Sequence, residues 1–214
     1  MINDNDFVLV NFVGRISLTG KIFDLTYKDM AEKEGLSGEN YSFKPMLVIP
    51  RANYTLKSIA ESVIGKNVSD KYKLDIKAKD AFGEQNPKLL HTYGMGTFIE
   101  NNIRPSPGDV VMLDDRVATV LSVVGGRVLV SFNHPLAGKD LSYEIEIVGV
   151  ITGEKDKCEA VFEHYSGKKP NELTIEEKNV KIVTEKAPLT YIKDAIVSDI
   201  RKYVDKDLSV EIIP

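Results

Sequence analysis

Few residues in this sequence are able to do chemistry, and spacing rules out most of their uses. Histidine stands only at 91, 134 and 164, and the single cysteine is Cys158. A structural zinc site wants four nitrogen or sulfur ligands, usually supplied in close pairs. No such pair occurs, so the histidines read as scattered surface residues. No Gly-x-Ser-x-Gly turn presents a nucleophile, Cys158 has no adjacent base, and no glycine-rich loop precedes a helix to cradle phosphate. What remains is a set of apolar side chains at strand ends with one carboxylate among them: Phe12, Phe23, Asp24, Met46, Leu56, Ile59, Phe82 and Tyr143. Spacing alone favours plain core for this set, with Asp24 a strand-end carboxylate in water.

The elements that position these residues follow from periodicity. Leu141, Tyr143, Ile145 and Ile147 alternate with Ser142, Glu144 and Glu146, which predicts a half-buried strand behind the exposed loop Asn133–Asp140. Phe7 to Ser17 reads as a strand with Val8, Val10 and Phe12 on one face, and Ile22-Phe23-Asp24 re-enters the sheet after the turn Thr19-Gly20-Lys21. Residues 27–35 read as a short helix ended by glycine, Gly35 to Asn40 as a polar loop, and Tyr41 to Ile49 as an extended run. Leu56, Ile59, Ala60, Val63 and Ile64 recur at helical spacing, with Asn53 or Thr55 as cap. Tyr72, Leu74, Ile76 and Ala78 alternate as a strand leading into Asp80-Ala81-Phe82-Gly83.

Residues between Gly83 and Asn133 are broken by prolines. They hold a hairpin, Val117 to Val124 and Arg127 to Phe132 around Gly125-Gly126, with one more strand at Val110 to Leu113. This block reads as a small, mostly β domain inserted in a loop of the first. Beyond Gly153 the pattern predicts a helix near 155–165, strands at Thr174-Ile175 and Val180–Val183, a helix opened by Pro188 with the stripe Leu189, Ile192, Ala195, Ile196, Ile200 and Tyr203, and a closing strand from Leu208 to Ile213. That stretch reads as a separate α+β unit of about sixty residues.

Composition bounds the function. Apolar residues make up 43% and charged residues 28% of 214, which is ordinary for a globular protein. A net charge of −4 argues against nucleic acid or an anionic membrane as the main partner. The lone Cys158 cannot form an internal disulfide, and no window approaches eighteen apolar residues. The expected location is therefore the cytoplasm, with no membrane span and no signal peptide.

Three stretches together resemble the FKBP-type peptidyl-prolyl isomerases: Gly20-Lys21-Ile22-Phe23-Asp24, Asp80-Ala81-Phe82-Gly83, and Leu141 to Ile147. The insertion after Gly83, closed by Asn133 to Lys139, is similar to that of the SlyD-like and long archaeal branches, where an insert-in-flap domain occupies this loop. The resemblance covers about residues 5–152. It implies an α+β fold in which a twisted antiparallel half-barrel wraps on a helix, with a mostly β insert and a small C-terminal α+β domain. The implied division is 1–85 with 133–153 for the isomerase domain, 86–132 for the insert and 154–214 for the C-terminal domain.

By the same resemblance, Asp24, Phe23, Phe82 and Tyr143 carry the reaction. Phe12, Met46, Leu56, Ile59 and the rim residue Leu136 hold the substrate. Phe12 and Phe82 stand where the family usually has tyrosines, and Ser58 where it has glycine. No metal or cofactor is implied, and the expected partners are proline-containing peptides and unfolded or nascent chains. The insert is expected to bind unfolded segments through Leu90, Met95, Phe98 and Ile99, although residues of this kind equally make a small core. Two other readings stay open: a non-enzymatic holdase on the same scaffold, favoured by the two Phe-for-Tyr positions, and an interaction module dimerising through the C-terminal helix.

Overall fold

The computed structural model describes residues 1–36 and 43–214. In chain order the elements are β1 (Phe7–Ile16), β2 (Ile22–Leu25), α1 (Lys28–Lys33), β3 (Met46–Val48), α2 (Lys57–Ser62), β4 (Lys71–Ile76), β5 (Leu90–Gly94), α3 (Met95–Glu100), β6 (Val110–Leu113), β7 (Arg116–Val124), β8 (Arg127–Ser131), β9 (Leu141–Ile151), α4 (Glu154–Ser166), β10 (Glu172–Glu176), β11 (Asn179–Val183), α5 (Thr190–Asp199) and β12 (Ser209–Ile213). The fold is mixed α+β. One sheet runs β2-β1-β9-β4 with β3 also on β1, a second β5-β8-β7-β6 and a third β10-β11-β12. Of the expected polar loop and the extended run from Tyr41, residues 37–42 lie outside the described residues, and the rest of the run supplies β3.

The chain forms two compact units. The first comprises Met1–Gly14, Ile22–Leu74 and Tyr143–Pro214. In it β3 pairs with the first half of β1 (Val8 opposite Val48, Val10 opposite Met46), and further along β1 Val13 packs with Ile22, Leu25 and Ala31. Phe7, Leu47, Ile49 and Ala52 share one core with Cys158, Val161 and Phe162 of α4 and with Leu173, Val180, Ile182, Ile196 and Ile212. Residues 154–214, expected to stand as a separate unit, therefore close a core that the N-terminal strands begin. The stripe expected on α5 goes into that core through Ile196, Ile200 and Tyr203, while Leu189 is 62% exposed and outside it.

Two helix starts differ from expectation. α2 begins after Leu56, whose carbonyl accepts from Ile59 and Ala60, and neither Asn53 nor Thr55 caps it. α5 begins after Leu189, whose carbonyl accepts from Ile192 and Lys193, so Pro188 precedes the helix instead of occupying its first position. In both cases the residue before the helix is an extended leucine, and no side chain caps the first turn.

The second unit comprises Arg15–Lys21 and Asp75–Ser142. Its antiparallel sheet is organised by two two-residue hairpin turns. Gly125 and Gly126 take φ +56° and +74° between Val124 and Arg127, as the expected hairpin requires. Asp114 and Asp115 make the same left-handed turn at φ +52° and +57° without a glycine. α3 was not foreseen: it is six residues long with no side-chain cap, and Gly96 interrupts its pattern. Its Phe98 is fully buried against Val111, Leu113, Ala118, Val120, Val128 and Val130. At the base of the insert, Asn133 and Asn86 clamp each other: Asn86 N–H donates to Asn133 Oδ1 at 2.8 Å and Asn133 Nδ2 donates to Asn86 carbonyl at 3.1 Å.

Candidate functional site

In the first unit the aromatic residues singled out by sequence come together. Tyr143, at the start of the buried face of β9, lies with its ring 5.6 Å from Phe12 of β1, tilted 57°. Phe23 of β2 meets the same ring edge-on at 5.7 Å and 87°, a favourable arrangement for aromatic quadrupoles. Gly14 makes room for this trio. A Cβ there would stand 2.8 Å from Phe23 Cζ and 3.1 Å from Tyr143 Cε1, so any side chain would push the rings apart. Phe12 and Tyr143 are 5% and 4% exposed, and Phe23 is half-buried.

Thr26, which sequence reasoning missed, locks β2 to β1 beside this cluster. Its buried Oγ1 accepts from Phe12 N–H at 2.9 Å, and its own N–H donates to Phe12 carbonyl at 3.0 Å. The alternation of β2 gave no warning, because a threonine at a strand end reads as a solvent position.

Asp24 stands between Phe23 and Leu25 with one edge in water. Burial of its carboxyl raises its pKa above the ordinary aspartate value, and the Leu25 N–H draws it part of the way back. Burial, together with the charge of Asp24, pushes the Tyr143 phenol upward and keeps it protonated. An apolar recess with one carboxylate and one neutral phenol can hold an uncharged group and act on it by field and shape, without a proton transfer.

A cleft of about 720 Å³ opens along Phe12, Asp24 and Met46. Its other side comes from α4 through Ala160, Glu163 and His164, a contribution sequence reasoning did not foresee. Lys44 crosses it, paired with the Glu163 carboxylate and 3.4 Å from Gly167 carbonyl. His164 is fixed by stacking on Tyr54 at 3.9 Å, and loss of water around the ring lowers its pKa. Tyr54 in turn donates to Asp199, which also accepts from Tyr165. Of the other expected pocket residues of this unit, Ile59 is 2% exposed on α2 and Leu56 is half-buried at its start, and neither lines this cleft.

The remaining expected residues belong to the second unit. Phe82 is half-buried and stacks on His134 at 4.2 Å, nearly parallel. His134 Nδ1 accepts from Leu136 N–H at 3.1 Å, and Gly138 N–H donates to Gly83 carbonyl at 2.8 Å, so the two loops carrying Phe82 and Leu136 are held together. Asp140 accepts from Lys77 at 2.7 Å and from Ala78 N–H at 2.9 Å, and these bonds lower its pKa.

In the insert, the four residues expected to meet unfolded chains part company. Phe98 is core, Met95 packs against that core, Leu90 is half-buried, and Ile99 is 63% exposed. The exposed apolar surface lies elsewhere. Val110 and Met112 of β6 and Val117 and Leu121 of β7 share the outer face, with Met112 directly opposite Val117. Val110 to Leu113 is apolar at every position, which is the sequence signal that both faces of β6 are apolar.

A family model described as the FKBP26 IF domain matches residues 94–136. A short-type peptidyl-prolyl cis-trans isomerase of Methanocaldococcus jannaschii is 22% identical over 156 residues, covering 73% of this chain and 98% of that one. The FKBP-type peptidyl-prolyl cis-trans isomerase SlyD of Vibrio cholerae is 25% identical over 128 residues, covering 54% and 59%. Among solved structures, a peptidyl-prolyl cis-trans isomerase of Pseudomonas syringae overlays weakly, with TM-score 0.35, 15% identity and coverage of 70% of this chain and 65% of that one.

Proposed function

We propose that this chain, which belongs to the FKBP-type peptidyl-prolyl cis-trans isomerase family, accelerates rotation about X-Pro bonds in peptides and unfolded proteins at the recess of Phe12, Phe23, Asp24, Met46 and Tyr143. The observation that carries this reading is the ring cluster around Gly14 with a partly shielded carboxylate beside it. An X-Pro bond turns over a barrier of about 20 kcal/mol because rotation breaks amide resonance. The twisted amide is less polar than the planar one, so an apolar recess disfavours the planar ground state relative to the transition state. A 10³-fold acceleration needs roughly 4 kcal/mol off the barrier, a size that shape, desolvation and one oriented carboxylate can supply. Asp24 acts by its field and by orienting groups, not as a proton donor. The proposal extends, residue by residue, to Leu56 and Ile59 on α2 and to Phe82 and Leu136 on the loops of the second unit. It carries with it a division of labour: 1–85 with 133–153 for isomerisation and 86–132 for holding unfolded segments.

Asp24→Ala and Tyr143→Ala are each expected to lower turnover of a short proline peptide at least tenfold with the far-ultraviolet spectrum unchanged. Full turnover in both variants would falsify the assignment. A second reading, a holdase without turnover, is favoured by the exposed apolar face of β6 and β7 and by phenylalanine at position 12. Refolding of a proline-limited protein separates the two. Acceleration by catalytic amounts supports the isomerase, whereas suppression of aggregation only at stoichiometric amounts supports the holdase.

A further inference from the structure

We propose that helix α4 is a second wall of the substrate cleft and gives it a preference for proline peptides with a basic residue next to the proline. The inference rests on the isomerase reading above and adds its substrate class. The apolar part of the cleft lining includes Phe12 and Met46 from the strands and Ala160 from α4. Its volume of about 720 Å³ is far more than one proline ring occupies, and it lies in the range of sites that take several residues or a drug-sized ligand. A peptide seated with its proline at Phe12 and Met46 therefore runs its neighbouring residues along α4.

The charge along that path is one-sided. Asp156, Glu159 and Glu163 recur at the three- and four-residue spacing of a single helix face, and all three line the cleft with Asp24 opposite. Against these four carboxylates the lining holds two lysines, Lys44 and Lys169, leaving a net charge of −2. Both lysines are already engaged, Lys44 with Glu163 and Lys169 with Glu159 at 2.6 Å. Among the described residues, Asp24 and Asp156 have no cation bridging them. His164, its pKa lowered, adds no positive charge near neutral pH. A lysine or arginine beside the proline supplies the missing charge in a cleft where water is partly excluded. A glutamate there meets the like charge of Asp24 and Asp156.

The test uses the full chain and tetrapeptides of the form Ala-Xaa-Pro-Phe with Xaa lysine, alanine or glutamate. At low ionic strength kcat/KM is expected to fall in that order, with about a tenfold span from lysine to glutamate, and the span shrinks toward unity near 1 M salt. Asp156→Lys is expected to cut the span several-fold. Turnover of all three peptides within twofold of one another at low salt overturns this inference and leaves the isomerase reading standing. No turnover of any peptide overturns the isomerase reading itself. A span that Asp156→Lys does not change overturns the role of α4. Should that variant fail to fold, a wild-type span insensitive to salt overturns it equally.

Discussion

Asp24 is held where burial raises its pKa, with Leu25 N–H as a partial counterweight. A raised folded-state pKa means that the folded protein binds a proton more readily than the unfolded chain does. Above the folded value both states are ionised, and the fold bears the cost of partly shielding the charge from water. Below the ordinary aspartate value both are protonated, and the cost is gone. Asp24→Asn keeps an acceptor for Leu25 N–H and removes the charge, so it should raise Tm at pH 7 and leave it unchanged near pH 3, while lowering isomerase turnover. A Tm difference that persists at pH 3 would show that something other than the charge is responsible. The residues of the ring cluster were legible in sequence because aromatics at strand ends have only a few uses. Thr26 and Gly14 were not, since the role of each is set by a neighbour across the strand.

At the scale of elements, the two hairpin turns of the insert use one geometry with different residues. Gly125 and Gly126 adopt it freely, whereas Asp114 and Asp115 hold an aspartate backbone in the left-handed region, at a cost of roughly 1 kcal/mol for a side-chain-bearing residue. Asp114 is partly compensated, because its Oδ2 accepts from Tyr93 at 2.6 Å. Among the described residues no such bond is seen for Asp115, so Asp115→Gly should stabilise β6 and β7 by about 0.5–1 kcal/mol. Slower amide exchange at Val111 and Ala118 checks this, and faster exchange there would refute it. Strands and the glycine hairpin could be read from the chain because alternation and turn residues are local signals. α3 could not, because six residues carry too little periodicity and its one anchor, Phe98, acquires meaning only from the sheet beneath it. The starts of α2 and α5 were displaced because a leucine, which has no side-chain acceptor, stands at each cap position, and an uncapped start leaves no mark in the sequence.

For the molecule as a whole, the outer face of β6 and β7 and the recess of the first unit are proposed to do separable work. Val117 and Met112 are 60% and 59% exposed, so Met112→Glu with Val117→Glu should cost little stability. The double variant, and equally a chain with 86–132 removed and the loop closed from Gln85 to Asn133, should keep turnover on short peptides. Both should lose most of the ability to accelerate refolding of a proline-limited protein and to suppress aggregation. Refolding catalysis equal to wild type in both chains would sink the division of labour. The core of the first unit has a bearing on synthesis as well. Phe7 is fully buried, yet its partners in that core include Val161, Phe162, Ile196 and Ile212. At ~5–20 residues per second a ribosome needs roughly 10–40 s to travel from one end of that list to the other. For that interval the first strand of this proposed folding catalyst lacks the C-terminal side of its core and is the kind of nascent segment its own insert is proposed to hold.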